Sequence, residues 1–356
     1  MSNIKNEYLK TLINEINSFE ERVNIMEVCG SHTEAIGKFG LRSILNHNLN
    51  LISGPGCPVC VTHSCYIDYA YYLSLNENII IATYGDMIRV PGSKPSITLE
   101  KAKALGGDIK IVYSSIDALS LAVNNPHRKI LFLGIGFETT APHTAIAIKE
   151  AKVNNIKNFY VLSLHKSVEP VMKCLLKDRN LNIQGFLCPG HVAAITGEKG
   201  FYFLKDYNCP GVITGFKVEN IIVGIWTLLN MIKEKSIGVE NAYKSLVSRN
   251  GNVLALDALD EVFYKGNDYW RGIGVIDHSG FKIKDEYEKY NIESIYPLKI
   301  KDFEENSICQ CGEVLKGIIK PKECRLFKKV CTPENPIGPC MVSVEGSCAA
   351  YYKYYL

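Results

Sequence analysis

The sequence predicts an α/β protein: two similar parallel-sheet α/β units followed by a loop-rich C-terminal segment dense in cysteine. Three observations point there. Short runs rich in Ile and Val recur without polar alternation, as in strands buried on both faces of a parallel sheet. Helical patterns separate them, the alternation expected of α/β architecture. Beyond residue 300 the chain becomes loop-rich, is too short to hold a large apolar core, and carries six of the thirteen cysteines, so something other than apolar burial must hold it together.

Taken in order, the strand candidates are "NIMEV" (24–28), "LIS" (51–53), "IIIATY" (79–84) and "IKIVYS" (109–114), then "KILFLGI" (129–135), "FYVLSL" (159–164), "IQGFL" (183–187) and "GVITG" (211–215). The N-terminal stretch has apolar residues at helical spacing. A helical region is expected from Phe216 to about 250 and a mixed stretch from there to about 300. "CGSHTEA" after the first strand and "GFETTAP" after the fifth are similar in form and suggest an internal duplication. The expected domains are residues 1–127, 128–300 and 301–356.

At 356 residues the chain exceeds one typical core, and roughly 100 to 200 residues per domain predicts two or three domains. Apolar residues make up 47%, charged residues 22%, and the formal net charge is +3, which excludes the basic stripe of a nucleic-acid-binding protein. No signal-peptide apolar region precedes the first charges. The longest apolar run, Ile221 to Leu229, is about half of what a bilayer span requires. A cytoplasmic protein with no membrane segment is expected. Thirteen cysteines in that compartment favour metal or redox chemistry over a disulfide framework.

Every notable polar motif falls just after a strand, where open parallel sheets bind ligands. "EVCGSHTEAIGKFG" places Cys29 at a strand end, with Ser31 and Glu34 spaced as a capping box. A thiol beside a helix N-terminus should ionise easily and serve as nucleophile or metal ligand. His32 could share a metal or proton with it. The plainer reading is a small residue at a tight turn with a capping-region imidazole. "GPGCPVC" sets Cys57 and Cys60 as a C-x2-C pair behind Gly54-Pro55-Gly56. That spacing suits a redox dithiol and a zinc half-site alike, and the glycines argue for close backbone approach. Cys65 belongs on a core helix face with Tyr66, Tyr69 and Leu73.

"CPGHVAAITG" offers Cys188 and His191, as readily a core histidine as a ligand. Asp86 and Arg89 in "YGDMIRVPGS", and Glu138 in "GFETT", suit a partner or polar ligand as well as a solvated surface. With no G-x4-G-K-[ST] and no G-x-G-x-x-G, nucleotide binding has little support. In the tail, Cys309, Cys311, Cys324, Cys331, Cys340 and Cys348 are enough for four ligands to a [4Fe-4S] cluster or to zinc, with two thiols left over. Spacing alone leaves both metals open.

"CGSHT", "GPGCPVCVT", "CPGHV" and the tail "CGEVLKG...C...CTPENPIGPCMVSVEGSCAAYY", in this order along the whole chain, resemble the HypD family of hydrogenase maturation proteins. The resemblance implies a scaffold on which HypC and HypD assemble the Fe(CN)2CO group of [NiFe]-hydrogenases. It also implies that HypE delivers the cyanide as a C-terminal thiocyanate and that the hydrogenase large subunit is a partner only indirectly. It implies a [4Fe-4S] cluster in the tail with the pattern C-x14-C-x6-C-x16-C, here Cys309, Cys324, Cys331 and Cys348, and a redox pair, Cys311 and Cys340, beside it. It further implicates Cys29 as an iron ligand shared with HypC, Cys57 and Cys60 as the dithiol facing it, and His32, His191 and Glu345 nearby. Two other functions fit the cysteines: a cluster-dependent thiol-disulfide reductase acting on a protein substrate, which leaves "CGSHT" unexplained, and a zinc-stabilised α/β binding protein.

Overall fold

In the computed structural model, which describes residues 2–298 and 308–355, all eight expected strands form, most within two residues of their expected ends. They are β1 (Val23–Glu27), β2 (Leu49–Ser53), β3 (Ile79–Thr83), β4 (Asp108–Ile111), β5 (Lys129–Gly136), β6 (Phe159–His165), β7 (Gly185–Pro189) and β8 (Gly211–Thr214). Three more follow: β9 (Val239–Asn241), β10 (Phe263–Trp270) and β11 (Gly274–Ile283). The architecture is α/β with two parallel sheets, as expected. One sheet runs β2-β1-β7-β8-β9 and the other β4-β3-β5-β6, while β10 and β11 form a separate antiparallel hairpin. The apolar residues that made these runs legible are buried: Ile25, Ile81, Phe132, Val161, Leu187 and Ile213 are each fully inaccessible.

The strands do not divide between the sheets at residue 127. The first two strands pair with β7, β8 and β9, so the four strands β3 to β6 are inserted within the first unit. Each unit nonetheless uses one plan: the first strand lies inside the second, and the third and fourth extend the sheet the other way. On that plan β1 matches β3 and β7 matches β5, so "CGSHTEA" and "GFETTAP" occupy non-equivalent positions. Pairing is non-local, and period-2 or unbroken apolar patterning carries no information about which strand is the neighbour. The boundary expected at 300/301 lies outside the described residues.

Helix Val218–Lys233 covers the expected helical region only in part, since β9 follows it. Its Ile221, Ile225 and Leu228 pack with Leu12 and Ile16 of the N-terminal helix Ser2–Asn17 on the first sheet. The tail contains short helices, Cys311–Leu315, Pro339–Val342 and Ser347–Tyr354, joined by loops. Among the described residues no helix is long and apolar enough to cross a membrane.

Because the strands of each sheet are parallel, their C-terminal ends share one edge. In the first sheet the order β2-β1-β7-β8 therefore sets "GPGCPVC", "CGSHT", "CPGHV" and the Gly215–Phe216 turn side by side. The connection from β1 runs outward to β2, and the one from β7 runs the opposite way to β8. The crevice between β1 and β7 is thus a topological switch point, the place where open α/β sheets take ligands.

Candidate functional site

Cys29 is the residue at which β1 gives way to helix Gly30–Lys38, in extended backbone at the helix N-cap. Its backbone N–H donates to Glu27 Oε2 at 3.2 Å, and Thr33 Oγ1 donates to the other carboxylate oxygen at 2.5 Å. Glu27 is buried at the strand end, and burial raises its pKa to about 7 against the pull of Thr33, Ser53 and Arg42. Arg42 donates to Ser53 Oγ at 2.9 Å and to Tyr355 OH at 3.0 Å, tying this network to the C-terminal end of the chain.

The expected easy ionisation of Cys29 does not hold in the folded protein. Burial pushes the thiol up to about 12, the carboxylates of Glu345 and Glu27 add to the rise, and the backbone N–H groups of His32 and Ser31 only partly oppose it. Desolvation and neighbouring negative charge outweigh the helix start. The expected capping box is also absent, because the helix begins one residue before Ser31. Ser31 Oγ instead donates to Glu345 Oε1 at 3.0 Å, and Glu34 accepts from Tyr354 OH at 3.3 Å. Glu345 therefore reaches the Cys29 loop from the tail, and burial raises its own pKa.

Cys57 and Cys60 are joined as a disulfide, Cα to Cα 5.2 Å, at the start of helix Pro58–Val61. Both are buried. The expected close backbone approach is present at Gly56, whose N–Cα–C turn lies against the Cys29 loop: a Cβ there would stand 2.1 Å from Cys29 N and 2.4 Å from its Cα. Gly56 O accepts from Gly30 N at 3.0 Å. Only glycine permits the two loops to lie this close.

His32 is fully buried, with Nε2 3.1 Å from the Gly215 carbonyl oxygen and Nδ1 without a hydrogen-bond partner among the described residues. A carbonyl can only accept, so Nε2 carries the proton and Nδ1 presents a lone pair. Burial lowers the pKa of His32 to about 4, which keeps the ring neutral. Phe216 packs against both His32 and His191, with ring centroids at 4.6 Å and 4.0 Å. His191 is exposed, on helix Gly190–Thr196.

The six tail cysteines, Cys309, Cys311, Cys324, Cys331, Cys340 and Cys348, all line one small cavity together with Gly338, Val314 and Met341. All six are free thiols. A hydrogen bond from the Cys309 thiol to Cys311 and burial raise the Cys309 pKa, and burial raises that of Cys348 with further repulsion from Cys309, Cys331 and Cys324. Cys331 Sγ accepts from Ile337 N at 3.4 Å. Thiols that crowd one cavity, with Cys309, Cys331 and Cys348 all costly to ionise there, form a donor set that a multivalent iron–sulfur or zinc centre would neutralise. The thiols present fit such a centre by chemistry, although among the described residues no three His, Cys, Asp or Glu side chains are arranged around a common metal position.

The tail is seated on the rest of the molecule by contacts that the sequence did not disclose. Asp86 Oδ2 accepts from Ser343 Oγ at 2.9 Å, and Arg89 donates to Pro333 O at 2.8 Å. Asp86 and Arg89 thus hold the cysteine-bearing loops. Glu138 accepts from Ser167 Oγ at 2.6 Å and Val168 N at 3.1 Å at the start of helix Val168–Lys177. Cys65 and Cys188 are buried in the core. Glu27 had one legible signal, an acid ending an apolar strand. Phe216, Arg42 and Ser343 had none, since their roles depend on contacts far apart in sequence.

The chain matches, over residues 4–355, the family model HypD, described as the hydrogenase formation hypA family. It is 40% identical over 342 residues to the hydrogenase maturation factor HypD of Cupriavidus necator, covering 94% of this chain and 90% of the relative. It is also 42% identical over 337 residues to HypD2 of Bradyrhizobium diazoefficiens, covering 92% and 88%. With HypD of Escherichia coli strain K12 it shares 40% identity over 351 residues, covering 98% and 94%. The switch-point cysteine, the paired cysteines beside it and the cysteine-lined tail are features of a chain that belongs to the HypD family of hydrogenase maturation proteins.

Proposed function

We propose that this protein serves hydrogenase maturation as the scaffold and redox partner on which the Fe(CN)2CO group is assembled, holding the iron with HypC and receiving cyanide from HypE. The observation that carries the reading is the placement of Cys29 against the Cys57–Cys60 loop at the switch point, with the tail's Glu345 hydrogen-bonded to Ser31 beside them.

The iron is cargo, and Cys29 is its soft thiolate anchor. A soft thiolate would suit an iron carrying strong-field cyanide and carbonyl ligands, and a divalent cation would offset the cost of ionising a thiol among carboxylates. Binding would therefore release the Cys29 proton, which Glu27 or Glu345 is placed to accept. His32, neutral and with a free Nδ1 lone pair, offers a proton acceptor or a ligand on the same face, and His191 lies across Phe216 at the exposed rim.

Release of cyanide from a thiocyanate requires two electrons, RS–CN + 2e⁻ giving RS⁻ and CN⁻. Oxidation of the Cys57/Cys60 dithiol to the disulfide supplies two electrons and two protons. Restoring the dithiol needs a second thiol pair, the role given to Cys311 and Cys340. The tail thiols Cys309, Cys324, Cys331 and Cys348 would hold a [4Fe-4S] cluster, which supplies electrons singly when bound.

The test is iron and acid-labile sulfide on anaerobically purified protein, with EPR after dithionite reduction, for wild type and Cys29→Ala. About four irons and four sulfides, a reducible signal in both proteins, and loss of iron–ligand assembly only in the variant are the expected result. A reducible cluster with dithiol reduction but no iron–ligand assembly in the wild type would favour a thiol-disulfide reductase. Zinc without sulfide would favour a structural metal.

A further inference from the structure

The β10–β11 hairpin turn, Trp270-Arg271-Gly272, is not part of any motif that named the site, yet it lies between both thiol pairs. Toward the disulfide, Arg271 N donates to Val61 O at 2.9 Å, one residue past Cys60, and Trp270 forms a bridge with Thr62. Toward the tail, Gly272, at φ +69°, lies against the residue that follows Cys311: a Cβ on Gly272 would stand 2.3 Å from Gly312 Cα. From the other side, a Cβ on Gly312 would stand 2.5 Å from Gly272 O. The Arg271 side chain is buried and donates through Nη1 to Pro91 O at 3.3 Å, so the turn is braced on a third side by the loop after β3. Helix Pro339–Val342, which carries Cys340, packs directly on helix Pro58–Val61, which carries Cys60. Cys57, Cys60, Cys311, Cys340 and Trp270 share one continuous apolar core.

We propose that the Trp270–Gly272 turn is a positioning element for thiol–disulfide exchange, setting the Cys311/Cys340 pair against the Cys57–Cys60 disulfide, with the Gly272–Gly312 backbone contact fixing the separation. This rests on the relay reading above. The structure holds both reactants, a disulfide and a free thiol pair. One tail thiolate attacks a sulfur of the Cys57–Cys60 bond, which breaks and releases the other sulfur as a thiolate. The second tail thiolate then attacks the mixed disulfide. Cys57 and Cys60 end reduced and Cys311–Cys340 oxidised, two electrons and two protons having passed between them with no outside reagent. A side chain at either glycine would have to push the tail away from the hairpin.

The experiment traps the mixed disulfide in the full-length protein. In a Cys57→Ser/Cys311→Ser background, Cys60 and Cys340 are the remaining partners, and their cross-link under diamide is followed by peptide mapping. Gly272→Ala and Gly312→Ala are each added to this background, with iron content and circular dichroism recorded for every variant. The expected result is ready cross-linking in the background and at least a tenfold slower rate with either alanine, at unchanged iron content and helicity. Gly312 has no positive φ to strain, so it decides the matter alone if Gly272→Ala does not fold. An unchanged rate with Gly312→Ala would overturn the positioning role. No cross-link in the background itself, with the glycines intact, would instead overturn the relay.

Discussion

Ser31, two residues beyond Cys29, donates a 3.0 Å hydrogen bond to the carboxylate of Glu345, a residue more than three hundred positions away in sequence. This bond joins the cysteine-rich tail to the strand end that carries Cys29, and Ser343 extends the link by accepting no proton from Asp86 but donating one to it at 2.9 Å. Tail and switch point are thus one assembly.

Breaking that bond should loosen the tail without unfolding the sheets. Ser31→Ala removes a charge-assisted hydrogen bond, for which about 1.5–3 kcal/mol is typical. Hydrogen exchange should rise in residues 339–355 and stay unchanged in β1 to β8. Uniform destabilisation of both regions would show that the contact is not a local clasp.

Glu345→Gln should make Cys29 more reactive. The carboxylate raises the Cys29 pKa, and the amide removes that charge while its oxygen still accepts from Ser31. The thiolate fraction near pH 8 then increases by about tenfold for each unit the pKa falls. Iodoacetamide labelling of Cys29 in the metal-free protein should accelerate several-fold, and a slower or equal rate would contradict the electrostatic account of the site.

Acid should destabilise the fold partly through His165. It is fully buried, 3.2 Å from Thr144 Oγ1, and burial lowers its pKa from 6.5 to about 3. The folded state binds this proton more weakly than the unfolded chain. Stability from this group is therefore complete above pH 6.5 and is lost as pH falls toward 3, by about 1.4 kcal/mol per unit. Between pH 7 and 5 the wild type should lose about 2 kcal/mol more than His165→Gln in urea unfolding. Parallel pH profiles would show that His165 is not neutral in the folded protein.

The tail should depend on the centre proposed for its thiols, because its own apolar cluster is small: Phe327, Met341 and Tyr351 are its main buried members besides Cys331. Cys331→Ser should lower both iron and sulfide and expose residues after 308 to limited proteolysis, leaving the two-sheet body intact. Protease resistance equal to wild type after loss of the metal would mean that packing alone holds the tail.

The strands were legible because continuous apolar runs such as Ile79–Ala82 and Ile130–Leu133 report burial directly. Their partners were not, since β2 and β7 flank β1 although more than a hundred residues separate them in sequence. The hairpin β10–β11 was also missed, as its mixture of charged, glycine and aromatic residues follows neither strand pattern clearly. Cysteines announced themselves by type and spacing. The ionisation expected of Cys29 was misjudged because burial and the approach of Glu345 exist only once the chain has folded. Glu27, Phe216 and Gly272 owe their roles to three-dimensional contacts in the same way.

The measurement that bears most directly on the assembly reading is the infrared spectrum of the anaerobically matured complex with HypC, for wild type and Cys29→Ala. Cyanide and carbonyl bands in wild type, lost in Cys29→Ala while the cluster's EPR signal persists, are the predicted result. Bands of undiminished intensity in Cys29→Ala would contradict it, because the iron would then be held and built upon without the thiol at the switch point.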